Sequence, residues 1–238
     1  MKKTDLQGVR SATIVLARAV DLTPVKDMEF LIQHPFTNSS IVSDFEKKHD
    51  FLNLIDPESQ EKWLKGLKNY INRCDIGEIL LELNNPWCLT WLDFVKEYLS
   101  EKDFAELLAY SWTTEENPNM DVNVGISKAI KWFKRADKQY LMSKEELEYY
   151  EALPDTITVY RGVSVGRVDL GLSWTDDREK AEWFMHRFDR KNNINKKGHL
   201  LEVTCPKQYV LAYLNSRNER EIVLDVLAVK HLIKTISE

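Results

Sequence analysis

Asn218-Glu219-Arg220-Glu221-Ile222-Val223-Leu224-Asp225 decides how this chain is read: two carboxylates two residues apart run into a β-branched apolar segment. In an extended chain, positions i and i+2 share a face, so Glu219 and Glu221 are expected to point the same way at the mouth of a strand. Two acids on one face repel unless a cation lies opposite. In a chain with 38 acidic residues such a pair also fits a solvated strand edge. Its meaning depends on what precedes it.

Upstream, Ile157-Thr158-Val159-Tyr160-Arg161-Gly162 follows Leu153-Pro154-Asp155 and reads as a strand. It ends in an arginine, the side chain suited to bidentate capture of phosphate or carboxylate, and a glycine, which lets a ligand approach the backbone. The same residues fit a strand-end ion pair before a turn. Gly171-Leu172-Ser173-Trp174-Thr175 then puts the hydroxyls of Ser173 and Thr175 on one face of a short strand. Asp176 with Glu179 resembles a helix N-cap and its capping-box partner. Ala181, Phe184, Met185 and Phe188 follow at helical spacing.

An Arg ending a strand, a Ser-x-Thr strand before a helix and a Glu-x-Glu strand opening resemble the Arg–Ser–Glu (R-S-E) signature of the ADP-ribosyltransferases that use NAD. The wording is similar to that of small phage- and bacteria-encoded members. The resemblance takes in Trp112-Thr113-Thr114-Glu115 and Leu141-Met142 and covers roughly residues 105–238. Trp174 departs from it, since the family often has a small residue between the two hydroxyls.

The resemblance implies a split-sheet catalytic core and a division of labour. Glu221 matches the catalytic glutamate, with Ser173 orienting it and Thr175 supporting the strand or the ligand. Arg161 would hold the pyrophosphate or adjoining ribose, Gly162 the nicotinamide amide through its backbone, and Phe184 or Trp183 would stack on the nicotinamide. Glu219 completes the Glu-x-Glu (ExE) motif that often accompanies modification of arginine. Tyr213, Asn215 and Arg217, on the segment leading to Glu219, would face the acceptor. The implied activity is NAD-dependent mono-ADP-ribosyl transfer to a macromolecule, a protein side chain with arginine favoured, in conflict between phage and bacterium. RNA or DNA bases as acceptors, in the manner of a toxin, and an inert binding or inhibitor module are the alternatives. A basic stretch, Arg187, Arg190, Lys191, Lys196 and Lys197, fits either a nucleic-acid patch or a solvated loop.

Composition agrees with a soluble globular protein of 238 residues, 43% hydrophobic and 30% charged. A net charge of −5 gives no global pull towards nucleic acid. Cys74, Cys88 and Cys205 form no Cys-x-x-Cys and read as reduced, buried thiols in the cytoplasm. No metal site is expected, since the five histidines lack ligand spacing, and no membrane span, since Ala12 to Val20 is short and broken by Arg18. NAD as co-substrate is the one small molecule implied.

The fold class expected is α+β: a mainly helical N-terminal half followed by a mixed or antiparallel sheet. Asp56-Pro57 opens a helix carrying Trp63, Leu64, Leu67, Tyr70, Ile71 and Cys74 on one stripe. Asn84-Asn85-Pro86 breaks the chain, Trp87, Trp91, Phe94 and Tyr98 follow as core aromatics, and Ser100 and Ser143 cap further helices. Strands are expected at 157–161, 171–175, 199–205, 208–214, 221–227 and 229–235, with a helix at 177–188. The division expected is a helical module, 1–104, which offers a face to a partner or antitoxin protein, and a catalytic domain, 105–238.

Overall fold

The computed structural model describes residues 2–47, 49–187 and 198–237. It is α+β, and the chain divides into two compact units: residues 1–104 with 114–116, and residues 105–113 with 117–238.

In the first unit α1 (Leu6–Ala19) is followed by β1 (Pro24–Val25), β2 (Met28–His34), β3 (Thr37–Ser39), β4 (Ile41–Ser43) and β5 (Phe51–Asn53). Then come α2 (Pro57–Ile71), α3 (Ile76–Glu82) and α4 (Cys88–Val95). The half is mainly helical, as expected, and the five short strands are an addition to that expectation. Their turns carried no glycine signal, because Asp27 (φ 64°) and His49 (φ 78°) themselves take the left-handed conformation. The helical signals hold: Asp56 accepts from the Ser59 N–H at 2.9 Å with Pro57 in the first turn. Trp63, Leu67, Ile71 and Cys74 are buried. Trp91 is fully buried and its Nε1 donates to Thr13 Oγ1 at 2.8 Å, whereas Phe94 and Tyr98 are exposed and do not belong to the core.

The second unit takes residues 105–113 of α5 (Glu101–Thr114), then α6 (Ile126–Arg135), α7 (Lys138–Leu141) and α8 (Lys144–Ala152). Ser143 and Glu146 form the capping box read from the sequence. Six strands follow: β6 (Thr156–Val163), β7 (Ser173–Thr175), β8 (His199–Pro206), β9 (Val210–Leu214), β10 (Glu221–Leu224) and β11 (Lys234–Ser237). Helix α9 (Arg178–His186) lies between β7 and β8, and α10 (Val226–Val229) follows β10. The sheet order is β11-β8-β6-β7-β10-β9, and every described pair is antiparallel, so no mixed pairing occurs among the described residues.

Four expected strands are shorter than read: β7 and β9 each begin two residues later, and β10 and β11 give way to helix. Asp225 ends β10 by accepting from the Ala228 N–H, and the expected strand at 229–235 is a short helical stretch before β11. The apolar run Val226-Leu227-Ala228-Val229 fits either state, and the aspartate cap decides for helix. Helix α9 begins one residue later than expected: its cap is Asp177, which accepts from Lys180 N at 3.1 Å, while Asp176 is engaged elsewhere.

β6 keeps β8 as partner along its whole length, from Thr156↔Pro206 to Val163↔His199, but meets β7 only at Tyr160↔Thr175. The two strands therefore part beyond that point, and Arg161 is the first residue past it. α9 packs on β6 at Gly162. A Cβ there would lie 1.8 Å from Ala181 O and 2.5 Å from Met185 N, so only glycine permits the approach. Gly162→Ala is expected to cost about 3 kcal/mol, the upper end of overpacking penalties. Gly166→Ala, at φ 83° with nothing near its Cβ, is expected to cost only about 1 kcal/mol of backbone strain. Denaturant unfolding of the two variants checks this, and equal losses would contradict it.

Candidate active site

The first residue of β10 is Glu221, paired with Thr175 on β7 and Leu214 on β9. Ser173 pairs with Val223, so Glu221, Thr175 and Ser173 share one face. Glu221 is 8% exposed, and its Oε1 accepts from Trp112 Nε1 at 2.8 Å. Burial pushes the carboxyl above its ordinary value, while the nearby Ser173 hydroxyl and the Trp112 bond favour the charged form. Trp112 is held edge-on to Phe133 at 5.1 Å.

Behind Ser173 stands a residue the sequence did not single out. Asn119 Nδ2 donates to Ser173 Oγ at 2.9 Å and its Oδ1 accepts from Leu172 N at 2.5 Å. With its oxygen occupied from the Asn side, the Ser173 hydroxyl has its proton free to give to Glu221. Asn119 lies 54 residues before Ser173. No local pattern could have found it.

Arg161 is anchored to the same strand. Its Nη1 donates to Ser173 O at 2.7 Å and its Nη2 to Val168 O at 2.9 Å, tying β6 to β7 and to the segment between them. Gly171 makes room: a Cβ there would sit 2.4 Å from Nη2. Burial lowers the guanidinium to about 10, against the pull of the Glu221 charge, so it stays cationic at neutral pH. Its Nε is buried without a partner. Two guanidinium hydrogens are thus spent on carbonyls, and the arginine's first task is structural.

Other expected residues are placed differently. Arg220 takes φ 51° and β10 starts only at Glu221, so Glu219 and Glu221 do not lie on one extended face. Glu219 instead meets Arg217, Oε2 to Nη2 at 2.7 Å. The Arg220 guanidinium makes a bidentate pair with Asp176, Nε–Oδ1 2.8 Å and Nη2–Oδ2 2.9 Å, and also donates to Tyr149 Oη at 2.9 Å. The Tyr149 hydroxyl donates to Asp176 and is pushed up to about 12 by burial and that bond. Tyr213 is 4% exposed and stacked on Tyr149 at 4.1 Å, so it packs. Asn215 closes the turn, its Oδ1 accepting from Arg220 N at 2.9 Å.

Thr175 is buried and its Oγ1 accepts from Asp177 N at 3.2 Å. Trp174 points into the core and donates to Gly171 O at 2.9 Å, which accounts for a bulky residue between the two hydroxyls. Phe184 is half-buried on α9 with Trp183 edge-on at 5.0 Å. A hollow of about 420 Å³ on that helix is lined by Glu182, Trp183, His186 and Arg187, none of them a residue of the constellation around Glu221. Arg190, Lys191, Lys196 and Lys197 lie outside the described residues.

Among the described residues, no group of three or more His, Cys, Asp or Glu could hold a metal ion, and no helix is long and apolar enough to cross a membrane. The three cysteines are free and buried. Comparison of the chain with models of protein families, with curated proteins and with solved structures gives no match.

The raised titration of Glu221 has a sign that can be tested. A carboxyl raised by folding contributes its stability fully below its ordinary value of 4.5, and that contribution is lost as pH rises through the folded value. Glu221→Gln carries no such loss. The difference in Tm, variant minus parent, is therefore expected to grow as pH rises from 4.5 towards neutrality. Thermal unfolding across that range checks it, and a difference that shrinks with pH would contradict it.

Proposed function

We propose that the second unit is a NAD-dependent mono-ADP-ribosyltransferase acting on a macromolecular acceptor, with a protein arginine as the favoured target. One observation supports this most: a buried carboxylate at the start of β10, Glu221, bonded by Trp112 and close to Ser173, stands within electrostatic reach of a guanidinium, Arg161, anchored on the same strand as that serine. That residues of three separate sequence segments lie on adjoining strands of one sheet supports the reading.

The chemistry follows from charge. Nicotinamide is a cationic leaving group on its ribose, and breaking the bond develops oxocarbenium character at C1′. A fixed anion in a water-poor site stabilises that cation far more than one in bulk water. Glu221 supplies the anion, and the Asn119–Ser173 pair together with Trp112 hold it in one orientation. Arg161 supplies a cation suited to the pyrophosphate through the hydrogens it does not spend on carbonyls. Glu219, one turn residue away and paired with Arg217, would receive an incoming guanidinium.

Glu221→Gln keeps size and hydrogen bonding but removes the charge. It is expected to depress nicotinamide release and transfer together by two to three orders of magnitude, about 2.7–4 kcal/mol, the typical loss of one preorganised electrostatic group. Glu219→Gln is expected to cut transfer to an acceptor far more than hydrolysis of NAD by water. Nicotinamide release and label transfer from NAD, measured in parallel on both variants, provide the test. Near-parental turnover in Glu221→Gln would sink the transferase reading, and equal loss of hydrolysis in both variants would sink the division of roles.

A further inference from the structure

Arg161 suits an anion, yet the edge that would take one is covered by its own chain. The Nε and Nη2 hydrogens of a guanidinium form one of its forks for a phosphate. Here Nε is buried without a partner, and Nη2 donates to Val168 O at 2.9 Å. Nη1 is occupied as well, on Ser173 O. Val168 belongs to residues 164–172, the segment that joins β6 to β7. A buried N–H without an acceptor is costly, and the oxygen of a bound anion would relieve it once that segment moved aside.

The segment has the parts of a strap. Its first turn closes with Arg167 N on Ser164 O at 3.1 Å, around Gly166 at φ 83° with nothing within 4 Å of where a Cβ would stand. Its far end turns at Gly171, whose N–H donates to Asp169 O at 3.0 Å. Between the two glycines it is held by Arg161 at Val168 and by His199 of β8, whose Nε2 lies 3.0 Å from Asp169 Oδ1. Both partners of that pair meet solvent, His199 28% and Asp169 60% exposed, and an exposed pair of this kind holds weakly. Asp169 also sets a negative charge near the guanidinium, whose cationic form it favours. The strap thus stands where a bound anion would stand.

Resting on the transferase reading above, we propose that residues 164–171 form an autoinhibitory strap over Arg161, hinged at Gly166 and latched by the His199–Asp169 pair. The structure is the shut state. Opening lifts Val168 O and Asp169 away and frees the Nε and Nη2 edge of Arg161 for the pyrophosphate of NAD. The apparent affinity for NAD is then reduced by the fraction of molecules in which the strap is open. Loosening the latch raises that fraction, and the affinity with it, by one common factor.

The test uses the purified full chain and His199→Ala, which removes the latch and leaves the charge of Asp169 in place. Opening is read from the rate of limited trypsin cleavage after Arg167, since a protease takes a bond only from chain that has come away from the fold. Cleavage after Lys230, in the same unit, reports general unfolding, and NAD binding is measured by titration calorimetry. In His199→Ala, cleavage after Arg167 and affinity for NAD are expected to rise severalfold and together, with cleavage after Lys230 at the parental rate. In the parent, saturating NAD is expected to speed cleavage after Arg167. Faster cleavage with unchanged affinity, an equal rise at both sites, or cleavage in the parent that NAD binding does not speed would each overturn the strap and leave the transferase reading intact. If neither protein binds NAD, the transferase reading falls and this inference falls with it.

Discussion

A carboxylate buried at the head of a strand is the constraint around which the second unit is arranged. An isolated ionised carboxylate in an apolar setting costs so much that it would protonate instead. Glu221 is 8% exposed, burial raises its titration, and the Trp112 indole and the nearby Ser173 hydroxyl oppose that rise by favouring the charged form. Each of these neighbours is itself fixed, Trp112 against Phe133 and Ser173 by Asn119, and Arg161 is held by two backbone carbonyls in the space that Gly171 leaves open. The carboxylate therefore has one place to be. That is what electrostatic catalysis requires, since a group that need not reorganise costs nothing at the moment of reaction.

β6 and β7 pair only at Tyr160↔Thr175, beyond which the Arg161 guanidinium bridges the two strands, while α9 closes tightly on Gly162. Strands carry Ser173 and Glu221, whereas Glu219 rides on a turn held by the Asp176–Arg220–Tyr149 cluster. The two acids of the Glu-x-Glu pair thus belong to different structural elements, in keeping with different work for each.

Much of this was legible in the sequence, for identifiable reasons. β6, β7 and the start of β10 announce themselves by β-branched content, and Asp56-Pro57 and the Ser143–Glu146 box by local capping chemistry. Local rules failed where a distant residue or an uncommon backbone state decided the outcome. Asn119 meets Ser173 from 54 residues away, and Trp112 meets Glu221 from 109. Arg220 in the left-handed region breaks the i, i+2 rule that placed Glu219 and Glu221 on one face. Asp176 reads as a helix cap until its pairing with Arg220 is known, whereupon Asp177 takes the cap. The strands between residues 24 and 53 escaped notice because two of their turns use aspartate and histidine rather than glycine.

The central claim is that the Glu221 carboxylate faces the nicotinamide ribose of NAD. The most direct measurement is a crystal structure of the chain with an unreactive NAD analogue. The account predicts the nicotinamide ribose hydroxyls within hydrogen-bonding distance of Glu221, with Ser173 beside that carboxylate and the pyrophosphate on the Arg161 side. A dinucleotide bound elsewhere on the chain, with the Glu221 face bare, would contradict it.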